Sequence, residues 1–436
     1  MVALLGCGGK DGTGGDTKGG GGSGSGAGGS GGSMNANSAG QLDPTFSSDG
    51  RVTFDSGKGN DRGRWVTQQG ADGKVVAVGK SNDDFIVVRY LPNGEPDLAF
   101  GNNGVVTTDL MNSGDEGKSV LVQSDQKIVL AGITTRNGNA DFGLVRYLTN
   151  GQLDTTLAGV GSVHTDIAGG MFYDEGKSLV IQFDGKYVIG GKGHNGTDDD
   201  FAVVRYTTNG ALDTTFNGTG IVTTNYDLQP NEGNSIAQQP DGKLLLAGQS
   251  FNGADDDFAV VRYNTNGSLD DTFQGGVVTT PIGPGTDTAF TVNVQPDGQI
   301  LVTGNSFDGA RNVFTAVRYN TDGTLDDSFD DDGIFTLAVG ETNDVCSGSA
   351  VQADGKILLA GTAESATSSQ LAVARLLPSG ALDTTFGTGG VSQFGFDGAG
   401  SGAYAMRLQS DGKILVVGDN DNGSDFDIAV ARLLVD

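Results

Sequence analysis

The chain repeats itself seven times. A Val-Arg or Ala-Arg step followed by Tyr or Leu falls at Arg89, Arg146, Arg205, Arg262, Arg318, Arg375 and Arg432, at spacings of 57, 59, 57, 56, 57 and 57 residues. An Asp-x-Lys turn keeps step with it at Asp72, Asp125, Asp184, Asp241, Asp354 and Asp411, and Asp297 opens the Asp-Gly-Gln version. Each turn is trailed by an apolar run ending in glycine: Gly79, Gly132, Gly191, Gly248, Gly304, Gly361 and Gly418. Three independent markers therefore count seven units, and a repeat of this length is one supersecondary unit that buries its faces against its neighbours.

Within a unit the pattern predicts four short strands. Unit two shows three of them, at 119–123, 127–132 and 142–147, and its fourth resembles Gly104–Thr108. The runs are β-branched and nearly continuous, so both faces of each sheet are covered. Four-stranded sheets stacked around an axis meet that demand, and the expected fold is an all-β, seven-bladed β-propeller of antiparallel blades. The chain opens with a strand of the fourth type (50–54) and closes with one of the third type (428–433). The N-terminal strand is thus expected to complete the last blade and close the ring, which leaves no open edges.

The repeat Gln239–Gly248, followed by Asp257–Asp270, resembles the delta-60 repeat family of bacterial β-propellers, and more distantly NHL-type propellers. The likeness covers residues 41–436. It implies a propeller that is surface-associated or secreted, and it supplies no active site.

Residues 8–40 are about half glycine with no apolar period, and read as a disordered Gly/Ser-rich tether. Residues 1–7 end in Leu-Leu-Gly-Cys, which resembles the lipobox of bacterial lipoproteins. That resemblance makes Cys7 the lipidation site and residues 1–7 a truncated signal, since the charged n-region is missing. A lipid-tethered cell-envelope protein, or a secreted one, is the expected localisation. The membrane would be reached only through the lipid anchor.

Net charge is −28, or about −4 for each of seven units. Such a surface repels phosphate backbones and argues against nucleic-acid binding. Cys7 and Cys346 are the only cysteines, so neither a disulfide framework nor a Cys-based metal site can be built. Gly22–Gly26 matches the nucleophile-elbow pattern and Gly191–Gly196 matches G-x-G-x-x-G, but neither joins a strand to a helix. Two histidines, His164 and His194, leave little for a catalytic triad.

Acidic runs are candidates for a hard cation. Asp83-Asp84, Asp198-Asp199-Asp200, Asp255-Asp256-Asp257, Asp425 and Asp427 fall between second and third strands. Asp115-Glu116, Asp174-Glu175 and Glu232 fall before first strands, and both connections open on one face. Asp198, Asp199, Asp200, Asp255, Asp256 and Asp257 are the candidate Ca²⁺ ligands.

Each third-strand Arg is followed eight residues later by an Asp: Arg89 and Asp97, Arg146 and Asp154, Arg205 and Asp213, Arg262 and Asp270, Arg318 and Asp326, Arg375 and Asp383. A guanidinium desolvated between apolar neighbours needs a carboxylate, so these read as structural ion pairs. Ring closure would give Arg432 the same partner in Asp43. The functional expectation is a non-enzymatic, monomeric module that binds a protein or carbohydrate ligand, or acts as a scaffold. A hydrolase or lyase with its site in the central funnel stands as the alternative, and a calcium-stabilised propeller is compatible with either.

Overall fold

Second and third strands carry the apolar runs, and they fold as the centre of each sheet. In unit four the first strand is Asn231–Gln238, the second Leu244–Phe251, the third Asp256–Tyr263 and the fourth Val277–Thr280, hydrogen-bonded in that order. Leu244–Ala247 and Phe258–Val261 are fully buried, as runs covered on both faces must be. The computed structural model describes residues 38–435, apart from 71, 111–113, 137, 168, 170–171 and 397. It shows seven such four-stranded antiparallel sheets. The lipobox with Cys7, and all but the last three residues of the 8–40 tether, lie outside the described residues.

The seventh sheet is completed from the other end of the chain. Strand Arg51–Phe54 pairs antiparallel with the third strand of unit seven, Arg51 opposite Ala431 and Phe54 opposite Ile428. The packed ring also takes in Ala39 and Gly40, which composition assigns to the tether: Gly40 N–H donates to Leu434 O at 2.8 Å, and Ala39 packs on the apolar cluster of units six and seven. The apolar core is accordingly divided into interlayers, each shared by two neighbouring units. Val188, Phe201 and Phe216 of unit three meet Leu246, Val261 and Tyr263 of unit four, and the closing interlayer joins Val75 and Ile86 to Val417 and Val430.

The seven Arg–Asp pairs all close, including Arg432 with Asp43; Nε-to-carboxylate distances run from 2.6 to 2.9 Å. Both partners are buried in every unit. Each guanidinium does more than the interval predicts. Its Nη1 donates to a backbone carbonyl of the following unit: Thr149, Thr208, Thr265, Thr321, Pro378 and Val435, with Arg432 reaching Pro92 of unit one. Six of the seven lie over a Phe ring at 4.2–4.8 Å. In unit two Leu157 takes that place, and Arg146 donates instead to Tyr187 OH at 2.7 Å. The Lys of the Asp-Gly-Lys turn joins the same carboxylate in six units, for example Lys243 to Asp270 at 2.8 Å, and Gln299 replaces it at Asp326. Burial alone would raise these carboxyls. The Thr45 hydroxyl and amide, Lys413 and Arg432 together outweigh it and hold Asp43 down at about 2. The pair is therefore an interblade latch, repeated around the ring.

Candidate functional site: the axial channel

First strands stand next to one another around the axis and close from unit seven to unit one. Every one carries a bulge near its start, between Gly233 and Ser235 in unit four, for instance. Beyond the bulge a Ser side chain reaches the next blade: Ser178 Oγ accepts from Ile236 N–H at 3.1 Å, and Ser235 Oγ from Val292 N–H at 3.2 Å. The inner wall is thus sewn blade to blade, and side chains that face the axis on either side of these stitches form two zones.

The first zone lies where first strands begin, in units one to four. Arg64 Nε meets Glu116 at 2.5 Å, Lys118 meets the same carboxylate at 2.9 Å, and Lys177 pairs with Glu232. Lys192 bridges Glu175 and Asp199, and Asp199 also meets His194 at 2.9 Å. Arg62 reaches across the closure to Asp419 at 3.0 Å. Burial, against the opposing charge of Glu175, brings Lys177 down to about 8, and burial pushes Asp419 up to about 6. These charges neutralise one another in a rigid belt.

The second zone is a cavity of about 530 Å³ lined by the later halves of all seven first strands. It sits toward the Asp-Gly turns, the opposite end of the axis from the loop face that the acidic runs favour. Its lining is mixed: Leu121, Val180, Ile181 and Ala237 stand with Val351 and Leu408 among polar Asn293, Ser347 and Ser349, and Trp65 and Arg407 complete it. Asn293 is held by Ser349 Oγ at 2.8 Å. Arg407 is different: it is open to solvent, ringed by protein, and no hydrogen bond or ion pair reaches it among the described residues. Desolvation pulls its pKa below the usual arginine range. A volume in the range of small-molecule sites, with one unneutralised cation on an otherwise mild lining, suits a ligand carrying an anionic group.

The six candidate Ca²⁺ ligands are not brought together. Asp198 and Asp200 accept from Asn195, Asp255 and Asp257 accept from Asn252, and Asp199 serves Lys192 and His194. Successive strand residues point to opposite faces, so a contiguous Asp run scatters its carboxylates. Among the described residues, the acids close enough to share an ion are Asp141, Asp166 and Asp174, whose oxygens lie within 4.8 Å of one another. Burial, then Asp166 and Asp174, push Asp141 up to about 7, and His164 Nε2 lies 3.1 Å from it. Cys346 is fully buried in the core, as its apolar context predicts.

A family model described as a domain of unknown function (DUF5122) β-propeller matches residues 70–100, 123–157, 182–216, 239–273, 295–329, 352–386 and 409–436. No curated protein matches the chain. Among solved structures, an ulvan lyase of polysaccharide lyase family PL25, bound to -[GlcA(1-4)Rha3S]-, aligns with a TM-score of 0.50 at 12% identity, over 87% of this chain and 94% of that one. Drosophila Plexin A in complex with Semaphorin 1b aligns with a TM-score of 0.46 at 9% identity, over 90% and 88%. A gluconolactonase from Xanthomonas campestris aligns at 0.39 and 12%, over 85% and 98%. At 12% identity the likeness to the ulvan lyase shows a shared fold and nothing finer.

Proposed function

The chain belongs to the DUF5122 β-propeller family, and we propose that its ring is a non-catalytic binding module whose site is the axial cavity. The matched segments begin at or next to the Gln before each turn, and in units one to six they end at the Phe, or in unit two the Leu, of the latch. They hold the second and third strands and, in those six units, the Arg–Asp pair; the seventh segment holds Arg432 without Asp43. All the first-strand residues that line the axis fall outside them. The likeness of Gln239–Gly248 to delta-60 repeats lies within the matched segments.

Arg407 is the observation on which the reading rests. A solvent-open guanidinium without a counter-ion, set in the channel wall, suits a ligand with a carboxylate or sulfate. The apolar residues of the lining and Trp65 offer the partly apolar surface that suits a sugar ring. We therefore take acidic oligosaccharides as the ligand class. Calorimetric titration of the chain with oligogalacturonate and with an uncharged malto-oligosaccharide tests this directly. The acidic ligand should bind, the neutral one should not, and Arg407→Gln should weaken binding about tenfold or more. Equal binding of both sugars, or an unaffected R407Q variant, would overturn the assignment. A lyase reading has one specific support, Lys177 lowered to about 8 in the charged belt. Unsaturated, shortened products in the same mixtures would replace the binding reading with that one.

The module's place is proposed to be the cell envelope, tethered through Cys7. In a bacterial host the chain placed behind a lipoprotein leader should sediment with membranes, and Cys7→Ser should release it to the soluble fraction. An unchanged distribution would remove the lipid anchor from the account.

A further inference from the structure

The extra residue of each first-strand bulge drops out of the ladder, and its side chain is re-aimed by the bulge. In unit three that residue is Lys177, between Gly176 and Ser178, and in unit four it is Asn234, between Gly233 and Ser235. The same position holds Arg64 and Lys118 in units one and two, and Phe290, Ser347 and Tyr404 in units five to seven. A lysine therefore stands beside the asparagine of the next blade at one junction only. There Lys177 Nζ donates to Asn234 Oδ1 at 3.0 Å, across the boundary between blades three and four.

The amide is held in this orientation from its other end. Asn234 Nδ2 donates to Ala289 O of unit five at 2.9 Å, which leaves its carbonyl side to the lysine. An amine hydrogen-bonded to a carbonyl oxygen lies one bond away from the carbon it would attack. A carboxylate completes the set: Nζ contacts Glu232 Oε1 from the same strand as the asparagine, and Glu175 Oε2 lies 3.7 Å away. The lysine side chain is only 16% exposed. Burial, with Lys192 and Lys118 adding like charge against Glu175, brings it down to about 8. The neutral amine, the form that attacks, is thus populated near neutral pH. Nucleophile, electrophile and proton carrier meet in one place.

We propose that Lys177 and Asn234 join in an isopeptide bond that staples blade three to blade four, with Glu232 as the proton carrier. Glu232 takes a proton from the ammonium, and the Nζ lone pair attacks Cγ while the carbonyl π electrons move to Oδ1. The carboxylic acid then passes its proton to Nδ2, the Cγ–Nδ2 bond breaks, and the carbonyl re-forms as ammonia leaves. The remaining surplus proton on Nζ departs through Glu232 and goes out with the ammonia as ammonium. A lysine ammonium and a primary amide become a secondary amide and an ammonium ion, so atoms and charge balance with no oxidant or co-reactant. The bond links residues 57 positions apart and constrains the unfolded chain as a disulfide does. It also consumes the amine that a lyase would need, and it leaves ligand binding in the axial cavity untouched.

Mass spectrometry of the purified full chain, held at mildly alkaline pH, tests this. The intact chain should be lighter than its sequence by one ammonia. Trypsin should leave residues 147–186, uncut at Lys177, joined to residues 206–243. Lys177→Arg keeps the charge beside Glu232 but offers no amine, and it should carry its full mass, as should Asn234→Ala. Glu232→Gln should reduce the joined fraction about tenfold or more. A wild-type chain of full mass with the two peptides separate would overturn the proposal. Loss of ammonia with the peptides still separate, the result of a succinimide at an Asn-Gly step, would overturn it equally. Joined peptides that persist in K177R would do the same, by placing the bond on another lysine.

Discussion

Replacing Arg262 with methionine is expected to cost about 3–5 kcal/mol, because it leaves Asp270 a buried carboxylate without its main counter-charge. Asp270 keeps Lys243 at 2.8 Å and the Thr272 hydroxyl at 2.7 Å, but loses the guanidinium at 2.7 Å. The same change also breaks the hydrogen bond to Thr321 O in the next blade and exposes the face of Phe273. Arg432→Met should cost a similar amount, since its contacts with Asp43, Pro92 O and Phe46 reproduce the set. That equality is the sharper expectation. A ring closed by pairing alone would be weakest at its seam, whereas a seam carrying a full latch is no weaker than any other joint. Arg51→Met gives the contrast: its partner Asp49 is half exposed, so the loss should stay within about 1 kcal/mol. Urea unfolding of the three variants measures all of this. If R262M unfolds within 1 kcal/mol of wild type, the latch is an ornament of the repeat. A double variant, Arg432→Met with Asp43→Leu, should recover much of the loss by removing both charges together.

Much of this architecture can be read from periodicity. Three markers in step predict the blade number, and their phase predicts the shared seventh blade. The eight-residue interval predicts the ion pairs, because a buried guanidinium must be answered by a nearby carboxylate. The carbonyl of the next unit cannot be foreseen, since it depends on the angle between blades, which no interval within one unit encodes. Channel residues are harder still. Thr67, Leu121, Val180, Ala237, Asn293, Ala350 and Arg407 occupy one structural position, yet four are aliphatic, two are neutral polar and one is a cation. This variable position faces the axial cavity, and a motif search passes over it. The acids mislead for a different reason. Contiguous runs such as Asp198-Asp199-Asp200 draw the eye, yet the triad that converges is built from Asp141, Asp166 and Asp174, which only the fold brings together.

The glycine in the middle of each second strand is expected to be the least replaceable small residue in the unit. An added Cβ at Gly248 would stand 1.8 Å from Glu232 O, and at the six equivalent glycines 1.7–2.0 Å from the matching carbonyl. None of the seven has a left-handed backbone, so the demand comes from close approach and not from φ. Its cause is the bulge in the facing first strand. The extra residue tips a carbonyl toward the second strand, and only a missing side chain leaves room for it. Gly248→Ala must therefore move backbone against backbone, and a cost of about 3 kcal/mol is expected. Gly395→Ala is the control: its Cβ would meet nothing nearer than 3.9 Å, so stability should change by less than about 0.5 kcal/mol. The bulge also aims Ser178 and Ser235 at the neighbouring blade, so relieving the clash by straightening the strand would unpick the stitches around the axis. Gly418→Ala adds a functional readout, because the strand it would displace carries Arg407. That variant should lose ligand affinity as well as stability, whereas Gly248→Ala, on the far side of the ring, should lose mainly stability. Denaturation midpoints with calorimetric titration of the same proteins separate the two effects. A Gly248→Ala variant as stable as Gly395→Ala would show that the bulge can relax freely, and that the inner wall is not held by these seven contacts.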